Sequence, residues 1–247
     1  LRIVSLAPSA TAILLAIAAR RNLVGVSKWC RHVADVSGLP QLGDCWQLDP
    51  AQVMKLRPNL VIGSVPFKAE TVGKLLAEPV TFLAQNPRRL ADIYSDIRLF
   101  GAITGRVRRA QQVIAHMQAA LAQLRARAPR RTRRPRVYCE AWPNPRISSP
   151  PWVAELVEMV GGRLVATPGQ RISDEQVAAA RPEVIVLAWA ATGAKSKPQT
   201  ALRNPKWQAV PAVEQRRVFA IRDELLNTPA PILVQGARAL LGAIHNR

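Results

Sequence analysis

Short apolar runs alternate with amphipathic stretches along the whole chain. Residues 2–6 read as a first strand, and Ser9-Ala10-Thr11 opens a helix through the uncharged stretch ending at Ala19. Leu23 to Val26 make a second strand, Leu60 to Gly63 a third, and Val80 to Leu83 a fourth, with helical patterns over 68–76 and 88–104 between and after them. From Arg106 to Ala128 the period changes. Val107, Ala110, Ile114, Met117, Leu121 and Leu124 recur at three- and four-residue steps with no Gly or Pro between, which predicts one continuous amphipathic helix. At 1.5 Å per residue it would be roughly 34 Å long. The alternation then resumes, with strands at 136–140, 164–165 and 217–221, a helix over 152–160 closed by Gly161-Gly162, and a last helix over 231–245. The pattern predicts an α/β fold of two doubly wound α/β lobes joined by a single long backbone helix. Residues 1–104 form the amino-terminal lobe, 105–135 the connecting helix and basic linker, and 136–247 the carboxy-terminal lobe.

An internal repeat supports two lobes. Gln52-Val53 followed by Arg57-Pro58-Asn59-Leu60-Val61-Ile62 returns as Gln176-Val177 followed by Arg181-Pro182-Glu183-Val184-Ile185-Val186, and 176 − 52 and 181 − 57 both give 124. Each copy opens on a helix start, Asp49-Pro50 or Ser173-Asp174-Glu175-Gln176, where side-chain oxygens meet free amides. Each helix stops at the residue before proline, which is pushed out of the helical region. The β-branched run that follows reads as a strand buried on both faces, the mark of a parallel sheet.

With 247 residues, 49% of them hydrophobic, the chain can bury two medium-sized cores. Its formal charge of +19 is unevenly spread: Lys and Arg against Asp and Glu number 12 and 7 over residues 1–104, 10 and 0 over 105–136, and 13 and 9 over 137–247. More than half of the excess thus sits in one short segment, which reads as a solvated basic face or as a docking surface for an acidic partner or anionic lipid headgroups. Basic residues are not interleaved with aromatics as in base-stacking proteins, so no specific nucleic-acid partner is expected. Cys30, Cys45 and Cys139 are too few for a disulfide framework; Cys30 and Cys45 could bridge in an oxidising compartment, or all three could be small buried residues. His32, His116 and His245 lie far apart, which gives little support to a metal site or to histidine-based catalysis. The uncharged run from Ser9 to Ala19 is too short to span a bilayer, which takes about 20 residues, and reads as a core helix.

Only 5% of residues are aromatic, yet six are tryptophan. Trp29 follows the second strand, Trp46 precedes the first repeated helix, Trp142 follows the strand at 136–140, and Trp189 follows the second repeated strand. Ligands of α/β sheets bind at the carboxyl ends of strands, so these four are expected to line a cleft between lobes, where flat side chains suit a large flat ligand. Trp152 and Trp207, at helix starts, are assigned to the core.

The order of motifs resembles a known family. Arg2-Ile3-Val4-Ser5-Leu6-Ala7-Pro8-Ser9-Ala10-Thr11, Leu23-Val24-Gly25-Val26-Ser27 and Leu56-Arg57-Pro58-Asn59-Leu60-Val61-Ile62 are similar to the amino lobe of the cobalamin-binding, BtuF-type substrate-binding proteins of ABC importers, members of the class III helical-backbone superfamily. Glu140-Ala141-Trp142-Pro143-Asn144-Pro145, Trp152-Val153-Ala154-Glu155-Leu156, Gly161-Gly162 and Trp207-Gln208-Ala209-Val210-Pro211-Ala212-Val213 resemble its carboxyl lobe. The resemblance implies a non-enzymatic extracytoplasmic receptor, periplasmic or membrane-anchored, monomeric and without a resident cofactor or metal, that passes a corrinoid to the permease of an ABC importer. By position it implies that Trp29 and Trp46 are ligand-facing aromatics and Asp223 an acid near the ligand. With them, Trp142 would stack on the corrinoid, Trp189 would line the cleft, and Asn227 would join Asp223 in hydrogen-bonding its amide periphery. The chain departs from the family in several places. Gly63-Ser64-Val65-Pro66-Phe67 stands where a cleft tryptophan is expected, leaving Phe67 as the aromatic there. Asn227-Thr228-Pro229-Ala230-Pro231-Ile232 lacks an arginine, and Ala12 replaces a glutamate. Of the two acids that dock the permease, Glu175 is kept and Ala51 stands for the other; Asp49 or Asp174 could compensate only by facing outward. On the same fold, a ferric siderophore or other metal chelate is the alternative ligand. Haem would call for an axial Tyr or His, and the tyrosines are Tyr94 and Tyr138.

Overall fold

The computed structural model describes residues 1–43, 48–64, 68–129, 132–192 and 196–245. The chain divides into two compact α/β units: Leu1–Pro87 with Ala91–His116, and Arg88–Leu90 with Met117–Arg247.

In the first unit the elements are β1 (Ile3–Ser5), α1 (Pro8–Ala16), β2 (Leu23–Ser27), β3 (Gln41–Leu42), α2 (Pro50–Lys55), β4 (Leu60–Ser64), α3 (Ala69–Leu76), β5 (Thr81–Gln85) and α4 (Leu90–Ile103). The strands form one parallel sheet in the order β3-β2-β1-β4-β5. The chain therefore winds outward in one direction from β1 and then in the other from β4. Such a switch point leaves an opening beyond the strand carboxyl ends. Val4, Val53, Val61 and Leu75 are buried together in one core cluster on the side of α2 and α3. At Gly25 of β2 that packing is close, since a Cβ there would lie 2.4 Å from Cδ1 of Leu56, which would have to turn aside.

A single helix, α5 (Val107–Arg127), passes from the first unit into the second, the division falling between His116 and Met117. Ala110, Ile114, Met117, Leu121 and Leu124 are its buried stripe, as the periodicity predicts, while Val107 in the first turn is 50% exposed.

The second unit contains β6 (Arg136–Pro143), β7 (Arg146–Ser148), α6 (Trp152–Met159), β8 (Arg163–Leu164), α7 (Asp174–Ala180), β9 (Val184–Leu187), α8 (Pro198–Leu202), α9 (Pro211–Glu214), β10 (Val218–Ala220), α10 (Glu224–Asn227) and α11 (Leu233–His245). Here β8-β6-β9-β10 is parallel, in the same winding order as β2-β1-β4-β5. β7 folds back antiparallel on the distal half of β6 and so extends that strand at its carboxyl end. β9 is buried at every residue, which fits its continuous apolar run.

The repeat reaches down to backbone geometry. α2 and α7 start at 50 and 174 and β4 and β9 at 60 and 184, an offset of 124 in each case (174 − 50, 184 − 60). Asp49 caps α2 by accepting from the Ala51 amide at 3.0 Å. Ser173 and Gln176 form a full capping box on α7, with bonds of 3.2 and 2.8 Å. Arg57 and Arg181, each before proline, leave the helix through the left-handed region at φ 46° and 45°. Proline accounts for the departure from the right-handed helix but not for its left-handed form, which here ends the helix without glycine.

No helix among the described residues is long and apolar enough to cross a membrane. Cys30 is a buried free thiol, and Cys45, its candidate partner, lies outside the described residues.

Packing at the last helix gives a stability test. A Cβ on Gly236 would sit 2.0 Å from the carbonyl oxygen of Leu225, whereas one on Gly73 meets nothing within 4 Å. Gly236→Ala is expected to destabilise the protein by about 2 kcal/mol or more through overpacking, and Gly73→Ala, exposed in α3, to stabilise it by up to about 1 kcal/mol. Urea unfolding of both variants checks the pair.

Candidate ligand site

In the second unit, the carboxyl end of β6 carries a buried charged network. Tyr138 and Glu140 point to one face because successive residues of a strand alternate. The Glu140 side chain is fully buried, yet its carboxylate is satisfied three times. Oε1 accepts from Trp189 Nε1 at 2.8 Å, and Oε2 accepts from the Tyr138 hydroxyl at 2.8 Å and from Arg146 Nη1. Arg146 reaches across from β7 and gives its other terminal nitrogen to Asp174 Oδ1 at 2.9 Å. Its guanidinium lies 4.5 Å from the centroid of the Trp207 ring. Burial works against the Arg146 charge, but Glu140 and Asp174 outweigh it and hold its pKa above the ordinary value. Burial and then the Glu140 charge push the Tyr138 hydroxyl far above the phenol range, so it stays a protonated donor.

This network fixes the end of β9. Trp189, held through its indole N–H, begins a loop in which its amide donates to Ser196 Oγ at 3.2 Å and its carbonyl accepts from Thr192 Oγ1 at 2.6 Å. Ala191 is held at φ 62° while its amide donates to Asp223 Oδ2 at 3.0 Å. Asn227 donates from Nδ2 to the Ala188 carbonyl at 2.7 Å, and its Oδ1 is buried without a partner among the described residues. Asp223 and Asn227 therefore tie α10 to the loop after β9. Trp142, two residues farther along β6 and beyond an irregularity in its pairing with β7, is 39% exposed; its Nε1 donates to the Asn144 carbonyl at 2.8 Å. That bond satisfies the polar edge of the indole and leaves its flat apolar surface open.

In the first unit, the turn Lys28–His32 directly follows β2 and presents Trp29. Beneath it Thr11 Oγ1 donates to Ser5 Oγ at 2.8 Å and lies 3.1 Å from Cys30 Sγ, while Ser27 Oγ and Cys30 Sγ are 3.3 Å apart. Burial raises the Cys30 pKa, so the thiol is an anchor for the turn and not a nucleophile. Lys28 Nζ stands 5.2 Å from the Trp29 ring centroid, and the exposed His32 ring lies 5.8 Å from it.

The sequence-predicted site residues thus divide. Trp142, Trp189, Asp223 and Asn227 all occur at the carboxyl edge of the second sheet, and Trp29 at the carboxyl edge of the first. Trp46 and Phe67 lie outside the described residues. Trp207 is buried beside Tyr138, and Trp152 is buried with its Nε1 on the Leu226 carbonyl, consistent with core roles. Glu175 is exposed and paired with Lys206 at 2.6 Å, a bond that holds its pKa down at about 2. Of the two acids that could compensate for Ala51 by facing outward, Asp174 is half-buried and engaged with Arg146 and Asn204, whereas Asp49 caps α2 and is exposed. Sequence reasoning did not find the Glu140–Arg146–Asp174 network, although the spacing of Tyr138 and Glu140 on one strand was its visible trace. Among the described residues there is no cluster of His, Cys, Asp or Glu suited to a metal ion.

The model of a family described as periplasmic binding protein matches residues 3–225. An uncharacterised ABC transporter substrate-binding lipoprotein, YvrC of Bacillus subtilis, is 24% identical over 256 residues, covering 99% of this chain and 80% of its own. A cobalamin-binding protein of Halobacterium salinarum is 24% identical over 261 residues, covering 99% and 69%. Among solved structures, the periplasmic heme-binding protein RhuT of Roseiflexus superposes with a TM-score of 0.83 at 25% identity, covering 99% of this chain and 98% of that one.

Removing the Glu140 carboxylate should expose its role. Glu140→Ala leaves Arg146 with Asp174 alone, removes the acceptor of the buried Tyr138 hydroxyl and the half-buried Trp189 indole, and is expected to cost about 3 kcal/mol or more. Glu140→Gln keeps one carbonyl acceptor and should cost less. Urea unfolding followed by tryptophan emission reads both the stability and the environment of Trp189.

Proposed function

From its membership of the periplasmic binding protein family, whose model covers residues 3–225, we propose that this chain is an extracytoplasmic solute receptor that carries a corrinoid to the permease of an ABC importer. It binds the ligand as a monomer at the carboxyl edges of its sheets and performs no chemistry on it. The observation that carries the reading is the indole of Trp142 at the end of β6, 39% exposed and held in place by its own N–H bond. A flat apolar side chain that is already ordered contributes contact area to a macrocycle at small entropic cost. Trp29 supplies a second such surface. Asp223 and Asn227 shape the loop after β9. The cobalamin-binding relatives, matched over nearly the whole chain, support the same ligand. Glu175 is the docking contact on the carboxy-terminal side, and exchanging Lys206 for a permease arginine would be part of docking.

A haem or another anionic metal chelate is the second reading, and one observation favours it. Lys28, partly exposed, and His32, exposed, flank Trp29 on one turn, which brings a cation for carboxylates and an imidazole for iron to the same ring. Tyr138 cannot be the axial ligand, since it is fully buried and bonded to Glu140.

Calorimetric titration with cyanocobalamin is expected to give saturable binding of one ligand per chain, weakened about tenfold or more in Trp142→Ala. Absence of heat at high micromolar concentration would remove the corrinoid. In that case a hemin titration showing a Soret shift that His32→Ala abolishes would establish the second reading.

A further inference from the structure

Parallel pairing places the first residues of β6, β8, β9 and β10 along one edge of the second sheet, opposite the candidate ligand site. Every one of these strands is entered through arginine: Arg136 and Arg163 begin β6 and β8, Arg181 lies three residues before β9, and Arg216-Arg217 precede β10. α5 ends at the same edge. Its Arg125 lines a cavity of about 570 Å³ together with Arg134, Pro129, Met159 and Gly161.

Part of this charge is engaged within the fold. Arg133 pairs with Glu183 at 2.7 Å, Arg136 lies 3.9 Å from the same carboxylate, and Arg217 donates to the Ala243 and Ile244 carbonyls. Arg125, Arg127, Arg134, Arg163, Arg181 and Arg216 are all exposed and have no ion-pair partner among the described residues. The acids nearby are Glu183, already paired, the exposed Glu158 on the rim of the cavity, and Glu214 at the end of α9. Helix carboxyl ends favour cations, and α5, α6, α7 and α9 all finish here, but that attraction fades within the last turn. It does not call for both Arg125 and Arg127 on α5 together with Arg134 against the same cavity.

We propose that this arginine edge docks the protein on the anionic phosphates of a phospholipid membrane, leaving the opposite edge clear for solute. The proposal rests on the extracytoplasmic reading above, which makes lipid headgroups the standing anionic surface. Guanidinium groups grip phosphate in paired hydrogen bonds. They are spread here over strand starts and loops across a sheet edge, which fits a flat array of phosphates better than a groove entered by one helix. Among the described residues, Trp142 is the only large exposed apolar side chain of this unit, and it lies at the other edge. Attachment is therefore electrostatic, without insertion, and reversed by salt.

Co-sedimentation of the whole chain with vesicles of phosphatidylglycerol and phosphatidylcholine, against phosphatidylcholine alone, is the test. Binding is expected only to the anionic vesicles and only at low salt. Replacing Arg125, Arg127, Arg134 and Arg163 together by Gln should weaken it about tenfold or more, since one basic residue near such a surface is worth about fivefold. The control Lys55→Gln, Arg98→Gln, Arg108→Gln, Arg109→Gln removes the same charge elsewhere and should weaken it about threefold or less. Failure to bind, equal weakening by both sets, or tighter binding to duplex DNA at the same salt would each overturn the proposal. Circular dichroism confirms that both variants fold. Because the cyanocobalamin titration is a separate measurement, loss of solute binding would leave the vesicle result standing.

Discussion

Parallel strand pairing is the constraint from which the remaining features follow. A parallel pair cannot be closed by a tight turn, so each strand must be followed by a crossover that returns the chain to the starting edge. In both units of this protein the result is a sheet whose carboxyl edge gathers every strand-to-helix loop and whose amino edge gathers every helix-to-strand loop. The two edges have been given opposite chemistry in the second unit. At the carboxyl edge lie Glu140, Trp142, Trp189, Asp223 and Asn227, side chains whose contacts are specific and mostly internal. At the amino edge lie arginines, most of them solvated. Winding order alone thus separates a surface built for shape from one built for charge.

The sequence was most informative where a local signal sufficed. The copies at Gln52 and Gln176 were legible because caps, helix, proline and a β-branched strand all lie within a short window, and their offset survives in the element starts and in the matching φ of Arg57 and Arg181. The left-handed form of those two residues was not legible, since the rule for residues before proline says what they avoid and not what they adopt. β3 and β7, of two and three residues, carry too little periodicity to be read; each exists because a neighbouring strand offers it a partner. Arg146 was invisible for a related reason. Nothing near it in sequence marks it as an ion-pair member, and its partners Glu140 and Asp174 come from a strand and a helix start that only the fold brings together.

The six tryptophans illustrate how burial and function part. Trp207 lies under the Arg146 guanidinium and edge-on to Tyr138, a place where a large ring supports a charge that would otherwise be poorly solvated. Trp189 is half-buried and oriented by a carboxylate, so it sets the shape of the loop after β9. Trp142 and Trp29 differ in what shares their space: Trp142 has its N–H bonded to its own hairpin, whereas Trp29 has Lys28 and His32 beside it.

A fully buried carboxylate is an expensive way to hold a tryptophan in place, because an apolar replacement of equal volume usually does as well or better for stability. What an apolar cluster would not supply is direction. Glu140 must receive one donor from its own strand, one from β7 and one from the loop after β9, and each donor has a single arrangement that satisfies it. Bonds such as Ala191 to Asp223 and Asn227 to Ala188 hold the loop after β9 to α10, and Glu140 adds a tie from that loop to β6 and β7. The charge at Glu140 therefore exchanges some stability for a carboxyl edge with one conformation, and a receptor that must recognise a rigid ligand without rearranging gains affinity from such an edge.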